Sequence, residues 1–364
     1  MLPPQPTQRV QNMSNKIALR VCVASLIGAA HAAGAVSYHI AQKLPLGGDG
    51  GWDYLSVDSA AHLLYLSRAT HVAIVDTVTG KIVGDIDDTP GVHGIAIASD
   101  LGRGYISAGK ADRVKVFDLR TRQTLANIAV GAKPDAIVYE QTTRQVFAFN
   151  GHSDNVSVID TATDKVVDTI ALGGAPEFAR ADGAGNIFVN IEDKNQLVAL
   201  DAKTRKLTAR WPLPGCNEPS GLALDAAHHR SFSVCANAVM TILNTQTGKA
   251  VATLPIGKGV DGADFDVESQ NAFSANGEGT LTIVHETDPE HFAVTQTLPT
   301  AQGARTVAID TKTHAVFLPS ANFGAASPSL PASHPKPPIL PDSFFVLTVA
   351  PVAVMNGGGG TEPK

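Results

Sequence analysis

The sequence predicts an all-β fold, a seven-bladed β-propeller with four-stranded antiparallel blades, on three observations. A unit of about 42 residues recurs along the chain, and each unit holds four short stretches of alternating apolar and polar residues. The chain also has one strand to spare near its start and one too few at its end.

The repeat is anchored by Asp76, Asp118, Asp160, Asp201, Asn244 and His285, which follow apolar strands and recur every 41 to 43 residues. An aromatic in an upstream strand marks the same units as Tyr65, Tyr105, Phe147, Phe188, Phe232, Phe273 and Phe317, giving seven. In the third unit the four stretches are Ala136–Tyr139, Gln145–Phe149, Asn155–Ile159 and Lys165–Ile170. Such a ring has to close, or its end blades expose sheet edges. Tyr38–Leu46 reads as a fourth strand without a blade, and the unit ending at 344–350 lacks one, so the first strand is expected to complete the last blade. The repeated Asp-Thr-x-Thr-Gly-Lys turn is explained by structure alone: Asp caps its own hairpin and Gly takes the positive φ.

Composition bounds the rest. Of 364 residues, 44% are hydrophobic and only 17% charged, which excludes a disordered chain and a coiled coil. A net charge of −6 with 28 Lys+Arg argues against nucleic-acid binding, which needs basic surface. Lys16 and Arg20, the apolar run 21–30 and the pattern Ala30-His31-Ala32 read as a secretory signal peptide over 1–32, with Met13 as an alternative start. The expected organisation is therefore a leader, a propeller over 33–350 and a disordered Gly-rich tail over 351–364. The expected compartment is periplasmic or secreted, with no membrane anchor and a monomeric chain.

The quoted repeats, the run Pro134-Asp135-Ala136-Ile137-Val138 and the segment Ser274-Ala-Asn-Gly-Glu-Gly-Thr-Leu-Thr282 resemble the YVTN-repeat (YncE-like) propellers of exported bacterial proteins. The resemblance implies the fold over Tyr38 to about Ala350. Relatives of this kind include sugar-lactone hydrolases, a streptogramin lyase and ligand-binding proteins, so it transfers no catalytic residue.

One column of the repeat is rich in ionisable groups. The residue 12 positions before each strand aromatic (11 in the fourth unit) is Asp53, His93, Asp135, Glu177, Ser220, Asp261 and Arg305 in turn. It opens the innermost strand of each blade, where seven strands converge on the channel. Carboxylates gathered at one opening repel unless something positive sits among them. Arg305 could pair with Asp53 or Asp261. A divalent cation could be held by His93, Asp135 and Glu177, the oxygens suiting Ca²⁺, Mg²⁺ or Mn²⁺ and the imidazole admitting Zn²⁺ or Cu²⁺. A small cationic molecule could dock there, or the ring could simply be solvated.

Loops expected on the same face carry Asn150, Asn190 and Asn276, and Glu218 lies just before Ser220. The last blade has a long Pro- and Ser-rich loop over 321–343 with His334 and Lys336, either a lid or a surface loop. Cys216 and Cys235 are expected on that face too, and export favours a disulfide over free thiols or a soft-metal pair. The pair His228-His229 falls in a turn and reads as a solvated surface feature.

Two classes of function follow. The first is a binding propeller that takes a metal ion or small ligand at an acidic mouth. The second is a metal-assisted hydrolase or lyase acting on a lactone-type ring, with Asp135 or Glu177 as base and His93 as ligand or acid. A protein-interaction platform is a further alternative.

Overall fold

A computed structural model describes residues 1–2, 36–325 and 337–352. The leader expected over 1–32 and the tail expected over 351–364 fall almost wholly outside these residues, as do His334 and Lys336.

Seven four-stranded antiparallel sheets follow one another in chain order, each running from an inner to an outer strand. The inner strands are Leu55–Asp58, Val92–Ala98, Pro134–Glu140, Pro176–Ala181, Pro219–Asp225, Val260–Asp266 and Ala308–Asp310, in blades one to seven. Each contacts the inner strand of the next blade, and that of blade seven contacts that of blade one, so the ring is closed. Closure occurs as the strand count requires. Tyr38–Pro45 pairs antiparallel with Phe345–Pro351 as the outer strand of blade seven, from Tyr38 opposite Pro351 to Pro45 opposite Phe345. No helix among the described residues is long and apolar enough to cross a membrane.

The core lies between blades, because each sheet buries both faces against its neighbours. Phe147, Phe149, Val156 and Val158 of blade three pack on Ile187, Val189, Val198 and Leu200 of blade four, all buried. Burying each such side chain is worth roughly 1.5–3 kcal/mol. Outer strands alternate between exposed and half-buried residues, as in Lys165–Ala171. Period-two patterning is therefore strongest there, while the second and third strands are buried almost throughout, as in Gln145–Asn150 and Asn155–Asp160.

The repeated turn behaves as its chemistry dictates. Asp160 Oδ1 accepts the N–H groups of Ala162 and Thr163, both at 2.9 Å, and the Thr163 hydroxyl at 3.1 Å. Glycine holds the left-handed position in two of these turns, Gly80 and Gly248, whereas Arg122, Asp164 and Arg205 hold it elsewhere. The cap thus offsets some backbone strain. Asp160→Ala should cost about 1 kcal/mol, read as a lowered denaturation midpoint at unchanged slope.

Candidate functional site at the channel mouth

Five of the seven column residues owe their position to a defect built into the inner strands of blades two to six. In blades two to five the pairing with the second strand slips between the first and fourth residues: Val92 and Ile95, Pro134 and Ile137, Pro176 and Ala179, Pro219 and Leu222. Blade six slips between Val260 and Gly262. His93, Asp135, Glu177, Ser220 and Asp261 all sit inside these bulges, the device by which strands re-aim a side chain next to a site. Asp53 and Arg305 lie just before the regular strands of blades one and seven.

The bulges bring backbones close. A side chain on Gly221 would start 2.6 Å from Ala263 N and 2.7 Å from Asp261 O, so only glycine fits between blades five and six. Serines opposite the bulges tie them down. Ser67 Oγ accepts Asp53 N–H at 2.8 Å, and Ser107 Oγ accepts Gly94 N–H at 2.8 Å while donating to Asp135 O at 2.5 Å.

Three column residues form one cluster. His93 Nδ1 lies 2.5 Å from Asp53 Oδ2 and 3.6 Å from Asp135 Oδ1. One donor atom from each of the three residues fits within a span of 4.8 Å. Asp135 is 5% exposed, and its charged neighbours, His93 and Lys133 Nζ at 3.7 Å, stand too far away for hydrogen bonds. Burial therefore pushes its carboxyl up to about 7, against the pull of His93 and Lys133. Burial opposes charge on His93 as well, but the Asp53 hydrogen bond and the Asp135 charge outweigh it and raise its pKa. Glu177 is raised well above the usual carboxylate range, first by burial and then by the charges of Asp135 and Asp261.

Across the opening Arg305 pairs with Asp261, Nε to Oδ2 at 2.7 Å, and its other arm donates to Trp52 O at 3.1 Å. Asp53 Oδ1 stands 3.9 Å from the same guanidinium. Of the two arrangements expected for Arg305, Asp261 is thus the close partner. Tyr54, next to Asp53, is buried, and its ring meets that of Phe178 edge-on at 4.5 Å. A cavity of about 620 Å³ opens at the mouth, bordered by Asp53, His93, Arg305, Trp52, Lys110, Lys133 and His152.

The remaining expected residues are placed differently. Asn150, Asn190 and Asn276 are fully buried. Asn150 donates to Asn155 and Ser157, Asn276 to Thr280 and Thr282, and Asn190 to the carbonyls of Ser220 and Gly221. Ser220 turns its hydroxyl to Val260 O at 3.4 Å, and Glu218 is exposed with a left-handed backbone. The described ends of the long loop form a short ladder, Phe323 opposite Ile339, and Phe323 packs on Trp52 beside the cavity. Cys216 and Cys235 are joined in a disulfide, as an oxidising compartment favours. Lys133 was not picked out from sequence, although its place two residues before Asp135 marks it as a neighbour of the column.

Solved structures share the fold. Hydrazine synthase from Kuenenia stuttgartiensis is 17% identical with a TM-score of 0.63, over 77% of this chain and 94% of that one. A structure of U3-55K is 9% identical with a TM-score of 0.69, over 85% of this chain and 98% of that one. The WD40 repeats of RRP9 give 9% and 0.69, over 86% and 97%. No curated protein matches. A family model described as a domain of unknown function, DUF5074, matches residues 60–272, more than half of the chain. With three strands of blade one, blades two to five and part of blade six inside that match, the chain belongs to the DUF5074 family.

Proposed function

We propose that this propeller is a binding protein that takes one divalent cation at its channel mouth through Asp53, His93 and Asp135. The observation that supports it is the convergence of two carboxylates and an imidazole from three successive blades within 4.8 Å. Asp135 is the member whose burial no close partner offsets, and a cation would offset it. Two oxygens and one nitrogen suit Mn²⁺ or Zn²⁺ better than Ca²⁺ or Mg²⁺, which favour all-oxygen sets. Glu177, the third ligand expected from sequence, is close enough for the charges of Asp135 and Asp261 to raise its pKa, but it is not among the three residues whose donor atoms converge, and Asp53 takes its place. The exported, periplasmic or secreted setting and the likeness to YVTN-repeat propellers belong to this reading. The disulfide supports the former and the repeat motifs the latter.

The test is titration of metal-stripped protein with Mn²⁺ and Zn²⁺ by calorimetry. Asp135→Asn and Asp53→Asn are each expected to weaken binding at least about tenfold, since loss of even an outer partner costs that much. Equal affinity in wild type and both variants would refute the site.

A second reading is favoured by the size of the mouth cavity and the cations on its border, Lys110, Lys133 and Arg305. The space exceeds what an ion needs and suits a small molecule with a carbonyl or carboxylate. A bound cation would polarise that carbonyl, with Asp135 or Glu177 as base. Metal-dependent turnover of a lactone panel that disappears in Asp135→Asn would establish it.

A further inference from the structure

We infer a second cation site on the opposite face of the propeller, where Asp225 and His228 of blade five meet Glu286 of blade six. His228 Nδ1 stands 2.7 Å from Asp225 Oδ2 and 2.8 Å from Glu286 Oε1. Both carboxylate side chains are fully buried, while the imidazole is 39% exposed and opens the cluster to solvent.

Two of these residues break the repeat. In blades one to five the residue that donates its backbone N–H to the facing turn is Thr77, Leu119, Thr161, Ala202 or Thr245; in blade six it is Glu286. The turn position of His228, just before the left-handed residue, is Ala61, Leu101, Thr143, Ala184, Ser269 or Thr313 in the other blades. A buried carboxylate and an imidazole thus depart from small or apolar residues at two points 58 positions apart, and they touch.

The hydrogen bonds leave the cluster incomplete. Asp225 Oδ1 accepts the N–H groups of Ala227 and His228, as the turn requires. Glu286 Oε2 is buried with no hydrogen-bond partner, and Asp225 Oδ2, also buried, faces only His228 Nδ1, at 2.7 Å. One proton on Nδ1 cannot serve both acids, and it goes to Glu286. The nearby Arg230 is committed to Glu290 at 2.7 Å. Once both carboxyls are ionised, two negative charges face at most one positive charge on His228, and a divalent ion in place of the Nδ1 proton balances them. That proton leaves to solvent.

The three donor atoms lie within 4.8 Å of one another, a span that contains the roughly 3.3 Å between ligands of a tetrahedral ion bonded at about 2.0 Å. His228 sits in an exposed turn and can move the few tenths of an ångström needed, and water completes the shell. An imidazole with two carboxylates selects Zn²⁺ over Ca²⁺. The ion would staple blade five to blade six.

The experiment is Zn²⁺ titration and metal counting on the purified protein carrying Asp53→Asn and Asp135→Asn, which removes the mouth site. One zinc is expected to remain. Adding Glu286→Thr, the residue found at this point in blades one, three and five, should weaken it at least about tenfold, as should His228→Ala. Zinc at about 100 times its Kd should raise the melting temperature of wild type and of the mouth variant, but not of Glu286→Thr. Absence of zinc binding in the mouth variant, or equal binding after Glu286→Thr and His228→Ala, would leave a histidine–carboxylate ion pair only and overturn the site. Neither result bears on Asp53, His93 and Asp135.

Discussion

Metal-free protein is expected to lose stability when the pH is raised from 5 to 8, and Asp135 alone accounts for about 3 kcal/mol of that loss. Its carboxyl is raised from 3.8 to about 7 in the folded chain. The native state therefore keeps a proton that the unfolded chain releases first, and stability falls as pH climbs between those values, by up to about 1.4 kcal/mol per unit. Below 3.8 the contribution is fully present; above about 7 it is gone. Glu177 and Glu286, also raised, act in the same direction. So do His93 and His228, whose raised values give stability that is lost as pH passes through them. The turn carboxylates Asp76, Asp118 and Asp201 are shifted down, so their contribution disappears only on acidification below this range. Denaturant melts at pH 5, 6, 7 and 8 in the presence of chelator would show the slope. Asp135→Asn should reduce the fall between pH 5 and 8 by about 3 kcal/mol, and an unchanged slope in that variant would remove Asp135 as a source.

Breaking the Cys216–Cys235 bond should cost about 3 kcal/mol, the loop-closure value for its sequence separation of 19. Both cysteines are buried, and Cys216 packs with Leu197, Leu213 and Leu222 between blades four and five. The bond pins the segment that leads into Ser220 and Gly221, where the chain lies against the backbone of Asp261 and Ala263 in blade six. Reductant, or the Cys216→Ala/Cys235→Ala pair, should lower the guanidinium midpoint by the same amount. Reductant should have no effect on that variant. A wild-type midpoint indifferent to reductant would show that the loop is held by packing alone.

The architecture was legible because every blade solves one physical problem with one pattern, so Asp76, Asp118 and Asp160 announce the same turn in the same place. The mouth was legible for a related reason: a nearly constant offset from the strand aromatic lands in the bulge of blades two to six and at the start of the inner strand in blades one and seven. Side-chain direction was less so. Asn150, Asn190 and Asn276 stand beside loops, yet each points between strands, where an amide has to be satisfied by neighbours. His228 looked like a surface residue because its partner Glu286 lies in the next unit. Comparing units reveals both as departures from the repeat, but only coordinates show that the departures meet.

The pairing of Tyr38–Pro45 with Phe345–Pro351 sets an order of events. A chain synthesised amino end first carries an orphan strand until its final segment has followed, and the contact that seals the circle spans nearly the whole polypeptide, the costliest kind of loop to close. Until then the molecule is an open arc with a bare hydrogen-bonding rim at either end. Truncation before Phe345 would make that arc permanent and offer both rims to other copies.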